Sequence, residues 1–171
     1  MTSLKQFEFG KFISIAGHQV TLNDDPFLSI SLTIFCSGCR FNCKGCQQPL
    51  LQDPKNGTMM DFFQIKTIID KHVDLVDSVC FCGGDWIFYQ KFLRKVSSYC
   101  KYLKLKTILY TGCLYEQISP EISKNIDVII DSKFDVSKKQ TSFPPSENQR
   151  VFLNGKQVCP NELPINQERN E

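Results

Sequence analysis

The sequence predicts an α/β protein, an open or partial parallel β/α barrel of about five to six strands. Three observations point there. Short apolar runs rich in β-formers alternate with stretches of helical periodicity, the order that gives parallel strands with right-handed crossovers. Four of these runs end in cysteine, glycine or small polar and charged residues, as strands do where they feed one shared site at their carboxyl ends. Finally, 171 residues with four clear β-segments are too few for a closed eight-stranded barrel of ordinary length.

Phe27 to Cys36 is apolar and reads as the first main strand, buried on at least one face. Lys11 to Ile15 is a candidate short partner strand, with Asn23-Asp24-Asp25-Pro26 as a turn. Residues 60–72 place Met60, Phe63, Ile65, Ile68 and Ile69 at helical spacing, and Asp61 suits the cap that opens such a helix. Ser78 to Cys82 is a second short strand that stops at Gly83-Gly84-Asp85. A helix over about 89–103 carries Phe92, Leu93, Val96 and Cys100 on one face. Lys106 to Tyr110 is a third strand ending at Thr111-Gly112, and a short helix comes next over about 114–124. Asp127 to Asp131 is a fourth strand and Arg150 to Leu153 a possible fifth, after a polar loop over 137–149. One domain over 1–159 accounts for this pattern. It includes an N-terminal strand extension (1–26) and is followed by a polar, flexible tail (160–171).

Composition narrows the function. Twenty Lys and Arg against eighteen Asp and Glu leave a net charge of +2, without the basic excess that nucleic-acid binding needs. No apolar run is long enough to span a membrane, and the first residues carry no signal-peptide stretch, so a cytoplasmic location is expected. Nine cysteines are unusual for such a protein. In a reducing compartment they imply metal binding or redox chemistry rather than disulfides.

Four cysteines, Cys36, Cys39, Cys43 and Cys46, fall close together after the first main strand. The last three have C-x3-C-x2-C spacing. Three thiolates on one short loop can hold three corners of a cubane [4Fe–4S] cluster. The fourth iron then stays open to a chelating amine and carboxylate. Two other arrangements use the same residues. Cys36-x2-Cys39 and Cys43-x2-Cys46 are zinc knuckles in form, although only three residues separate them where ribbons usually have about 12–20. Alternatively, all four cysteines close a ferredoxin-like cluster. Against that, Cys36 shares its strand face with Leu32 and Ile34. The scattered Cys80, Cys82, Cys100, Cys113 and Cys159 read as small buried hydrophobes.

With these residues in place, the chain resembles the radical S-adenosylmethionine superfamily, and within it the family of anaerobic ribonucleoside-triphosphate reductase activating proteins. The resemblance runs over about 28–153. Thr33-Ile-Phe-Cys-Ser-Gly-Cys39 is similar to the family's strand entering its first ligand, and Lys44-Gly45-Cys46 to its step before the third. Phe81-Cys-Gly-Gly-Asp85 resembles the Gly-Gly-Glu/Asp motif, and Tyr110-Thr-Gly-Cys-Leu-Tyr-Glu116 the third strand end. Ile126 to Phe134 and Ser146 to Arg150 resemble the last two blocks. Three positions depart from the pattern. Trp86 stands where the family has proline, Gln47-Gln48 where the activators have tyrosine and asparagine, and Cys36 where an aliphatic residue is usual.

The resemblance implies a [4Fe–4S] cluster held by Cys39, Cys43 and Cys46, with S-adenosylmethionine on the open iron. It implies cofactor contacts from Gly45, Cys46, Gln47, Gly83, Gly84, Asp85, Thr111, Asp131 and Lys133, with Asn148, Gln149 and Arg150 closing the far side. The implied activity is an oxidoreductase, an activase. It reduces S-adenosylmethionine to methionine and a 5′-deoxyadenosyl radical, which takes a hydrogen atom from a glycine of the anaerobic ribonucleotide reductase catalytic subunit. Reduced flavodoxin or ferredoxin is the expected electron donor, and Arg40 and Lys44 are charges that suit an acidic one. Activation of another glycyl radical enzyme, a small-molecule radical enzyme of the nucleoside-modifying type, and a non-catalytic metal-binding module are the alternatives.

Overall fold

The computed structural model describes residues 11–163. The expected N-terminal extension lies partly outside these residues, as do residues 164–171 of the expected tail. One open sheet holds eight strands in the order β3-β1-β2-β4-β5-β6-β7-β8. They are β1 (Ile13–Thr21), β2 (Ser31–Cys36), β3 (Thr58–Met60), β4 (Ser78–Gly83), β5 (Lys106–Tyr110), β6 (Val128–Asp131), β7 (Arg150–Leu153) and β8 (Lys156–Val158). The helices are α1 (Phe62–Asp70), α2 (Gln90–Tyr102) and the four-residue α3 (Pro120–Ser123).

The α/β class and the open sheet match the sequence reading; the strand count and the directions do not. Only β2, β4, β5 and β6 run parallel. An antiparallel pair flanks them on each side, β1 with β3 at one edge and β7 with β8 at the other. The sheet therefore has eight strands instead of five or six, and less than a parallel barrel's worth of crossovers.

Strand alternation divides the interior into two cores. Val79, Phe81, Leu109, Ile129 and Phe152 face α1 and α2 with Ile65, Ile69, Leu93 and Val96. Their neighbours Cys80, Ile108, Val128, Ile130 and Val151 face the other way, against Phe27 and Leu163. Burial on both faces explains why these strands read as unbroken apolar runs. Leu163, only 5% exposed, is anchored just after a 3-10 turn at Pro160–Glu162, so chain expected to belong to the tail is packed that far.

Local side-chain bonds set several boundaries. The first main strand begins at Ser31, four residues later than expected. Asp25, buried, accepts from the Phe27 N–H at 2.6 Å, from the Ser78 hydroxyl at 2.6 Å and from the Ser29 hydroxyl. These bonds hold Phe27 to Ile30 in a turn rather than a ladder. α1 opens as expected at Asp61, which forms a reciprocal capping box with Gln64. The expected 114–124 helix is only a 3-10 turn (Tyr115–Gln117) and α3, separated before Pro120, which disfavours helix at the residue ahead of it.

Candidate iron–sulfur centre

The cysteine loop leaves the carboxyl end of β2 and is tied down on both sides. The Gly38 and Cys39 N–H groups donate to the carbonyls of Leu51 and Gln52 at 2.8 and 3.0 Å, in the 3-10 turn Pro49–Gln52. The end of β4 zips to the same loop. The Gly84 N–H donates to the Cys36 carbonyl at 2.7 Å, and the Asp85 N–H to the Gly38 carbonyl at 3.1 Å. This approach needs glycine. Gly83 has φ +101°, and a Cβ on Gly84 would stand 2.7 Å from the Gly38 oxygen and 2.8 Å from that of Leu51. The Gly-Gly pair thus seats the cysteine loop itself against β4.

Cys39, Cys43 and Cys46 line one wall of a cleft of about 150 Å³, open to solvent. Gly83, Gly84, Asp85 and Thr111, at the ends of β4 and β5, line the same cleft, as does Gln47. The structure therefore brings these eight sequence-predicted residues together. Gly45 stands behind the wall. It has φ +71°, and its Cα packs so closely on Val136 that a Cβ would lie 2.7 Å from the Val136 Cβ. Asp131 and Lys133 are not on the cleft wall. Asp131 is fully buried and engaged by Arg150, by the Tyr115 N–H at 2.7 Å and by the Ser132 hydroxyl at 3.0 Å. Lys133 is exposed, over the ring of Phe41.

Asp85 is central and internally committed. It is 2% exposed and accepts from the Ile87 N–H, the Thr111 hydroxyl and the Gly112 N–H at 3.0, 2.9 and 2.8 Å. Burial pushes its carboxyl up to about 6, against the pull of those donors. It couples the end of β4 to the end of β5. Among the far-side candidates, Gln149 reaches the cleft, whereas Arg150 turns to Asp131 and Glu116. The Asn148 side chain donates to the Lys133 carbonyl at 2.9 Å.

Sequence reasoning missed several further wall residues, among them Cys82 and Tyr110. Both lie at carboxyl strand ends on the face opposite Phe81 and Leu109, so strict alternation could have identified them. Trp86, the departure from the proline pattern, is a core anchor. It is fully buried, and its indole N–H reaches the carbonyls of Ile34 and Cys82, both at 3.1 Å.

The donor set fits a cubane. Cys36 is fully buried in the helix-side core with Leu32 and Ile34, off the cleft wall, and burial drives its thiol well up. Burial pushes the Cys39 and Cys43 thiols up, and neighbouring backbone groups oppose that push. Among the described residues, no three His, Cys, Asp or Glu side chains are gathered tightly enough for a single metal ion.

An α/β sheet whose parallel strands end at a cleft walled by three cysteines on one loop defines an iron–sulfur protein. Residues 29–152 match the 4Fe-4S single cluster domain family, and the chain belongs to that family. Comparison with curated protein sequences finds no match. Among the described residues, no helix is long and apolar enough to cross a membrane.

Proposed function

We propose that the chain is a radical S-adenosylmethionine activase that makes a glycyl radical on the catalytic subunit of an anaerobic ribonucleotide reductase. The observation that carries this reading is the split among four neighbouring cysteines. Cys39, Cys43 and Cys46 face the cleft, and Cys36 faces the opposite core. Three ligands leave one corner of a cubane for the amine and carboxylate of S-adenosylmethionine. Held by Cys39, Cys43 and Cys46, the cluster would supply the electron for reductive cleavage of S-adenosylmethionine, the chemistry by which the partner's glycine would lose its hydrogen atom.

The protein's own part is to hold and shield. The loop bonds to Leu51 and Gln52 fix the three cysteines, and the Gly-Gly pair keeps them against β4. Asp85 ties the end of β4 to the end of β5 through Thr111 and Gly112. The polar groups of the inner wall are already bonded within the protein. The Tyr110 hydroxyl donates to the Asp24 carbonyl at 3.2 Å, Thr111 to Asp85, Ser132 to Asp131, and Gln149 to the Ser132 carbonyl at 3.3 Å. Such a wall offers a small substrate few specific contacts, and its open side suits a polypeptide loop. Reduced flavodoxin or ferredoxin is the proposed electron source.

The test is anaerobic incubation of the reconstituted protein with S-adenosylmethionine, dithionite and the reductase subunit. A glycyl radical signal in electron paramagnetic resonance is expected. Release of 5′-deoxyadenosine with no protein radical would contradict the proposal and favour small-molecule chemistry.

A further inference from the structure

A groove of about 290 Å³ in the helix layer is lined by Phe12, Phe62 and Phe63 and by Lys11, Lys91 and Lys95. Its aromatic surface is open, with Phe12 46% and Phe63 69% exposed. The Lys95 ammonium sits over the Phe62 ring, 4.1 Å from its centroid. Asp61, on the same groove, is committed to the cap of α1 through the Gln64 N–H at 2.9 Å. α2 carries no Asp or Glu. Arg94 is taken by Glu121, and Lys101 by the Lys124 carbonyl. Lys91 and Lys95 are left as exposed cations with no carboxylate partner among the described residues.

The groove lies at the end of the sheet that carries the cysteine loop. Ile15 pairs with Cys36 and Ile13 with Met60, so Phe12 and Asp61, one residue further out, lie beyond the carboxyl end of β2. α2 starts at the carboxyl end of β4, after the 3-10 turn Trp86–Tyr89. That turn joins the groove to the loop. Lys91 and Phe92 follow closely on Tyr89, whose hydroxyl donates to the Ser37 carbonyl at 2.7 Å, two residues before Cys39. Phe88 of the same turn meets Phe41, between Cys39 and Cys43, at 5.2 Å, and the Arg40 guanidinium covers it at 5.6 Å. A hydrogen bond and aromatic packing thus lead from the groove to the chain on both sides of Cys39. Surface cations of one sign speed encounter with an acidic protein, and exposed rings beside them supply the apolar centre of an interface.

We infer that this basic, aromatic groove is the docking face for the acidic protein that delivers the cluster's electron: carboxylates of the donor meet Lys91 and Lys95, and its apolar surface covers Phe12 and Phe63. The donor loses one electron and the cluster gains it, 2+ to 1+, with no bond made and no proton moved. None of these four residues lines the cleft, so a donor seated here leaves the cleft open to the glycine-bearing subunit. The inference rests on the cluster and on the activase reading.

The experiment compares two electron sources, reduced flavodoxin and dithionite, on reconstituted protein at equal iron content. The proteins are wild type, the groove variant Lys91→Glu, Lys95→Glu, and a control with the same charge change at the far end of the helix layer, Lys104→Glu, Lys124→Glu. With flavodoxin, the groove variant is expected to reduce its cluster at least about tenfold more slowly at low salt. Added salt is expected to slow wild type and control toward the groove variant's rate. With dithionite, cluster reduction and glycyl radical yield are expected to be equal in all three. Equal flavodoxin-driven rates in wild type and groove variant, or equal losses in groove variant and control, would overturn the inference. Loss of the dithionite-driven glycyl radical in the groove variant would overturn it in favour of the reductase subunit as occupant. A wild-type dimer that the groove variant breaks would give the face to a second copy and overturn it too. Flavodoxin-driven reduction that depends on Lys91 and Lys95 but yields no glycyl radical would sink the activase and leave this face standing as the donor's. A wild-type preparation that takes up no cluster would refute both.

Discussion

Asp85 shows how one side chain organises the cleft and what that costs. Its carboxylate gathers three donors from two strand ends inside the protein. Asp85→Asn would turn an amide donor toward one of them, and a loss of about 1–3 kcal/mol in urea unfolding is expected. The raised carboxyl, about 6, also has a pH signature. The native state holds this proton more tightly than the unfolded chain does, where the value is about 4. The group's contribution to stability is therefore fully present at low pH and is lost as pH rises through 6. Wild type should gain about 1 kcal/mol relative to Asp85→Asn between pH 7 and pH 5. A difference that does not change with pH would contradict the placement. Gly84→Ala tests the seat of the cysteine loop. With two carbonyls in the way of its Cβ, the cysteine loop must lift from β4. Iron per chain after reconstitution should fall, while far-ultraviolet circular dichroism keeps the signal of the sheet and helices.

The elements were legible in proportion to how far their own residues decide them. α1 was readable because Asp61 and Gln64 cap it locally, and β5 because Lys106 to Tyr110 is an unbroken β-forming run. β3 is three residues of edge strand, Thr-Met-Met, too short to show alternation. β8 had a signal that went unused. Asn154-Gly155 joins β7 to β8 with both residues at positive φ, the primed turn of a two-residue hairpin. The pairing of β6 with β7 depends on contacts no local pattern reveals. Buried Asp131 meets Arg150 at the strand ends, and Arg150 also forks onto Glu116 at 2.8 and 2.9 Å. For this reason Asp131, which looked like a ligand contact in sequence, stands as part of an ion pair. Arg150→Met should cost about 3–5 kcal/mol, because it leaves a buried carboxylate without its partner. The double variant Asp131→Asn, Arg150→Met should cost less than the sum of the two single changes. Additive losses in urea unfolding would argue against the coupling.

At the scale of the whole molecule, the sheet supplies rigidity and the loops supply chemistry. The parallel strands are buried on both faces, and the cleft is built from the loops and turns at their carboxyl ends. That division was visible in the sequence, because the strand ends carried the cysteines, Gly-Gly-Asp and Thr-Gly. The packing of Phe41 on Phe88 and Gly112 was not visible, since it arises only where the strand ends meet. Removal of iron by a chelator should therefore loosen the molecule unevenly. Hydrogen exchange should rise over residues 36–53 and 134–149 and stay slow in β4, β5 and β6. Uniform loosening would mean that the metal holds the sheet itself.

The most direct measurement is the electron paramagnetic resonance spectrum of the reduced cluster, recorded without oxygen before and after S-adenosylmethionine is added, in wild type and in Cys36→Ala. The three-cysteine centre predicts that both proteins carry the cluster and that the added compound changes both spectra. A spectrum unmoved by the compound, or a cluster lost with Cys36, would contradict it.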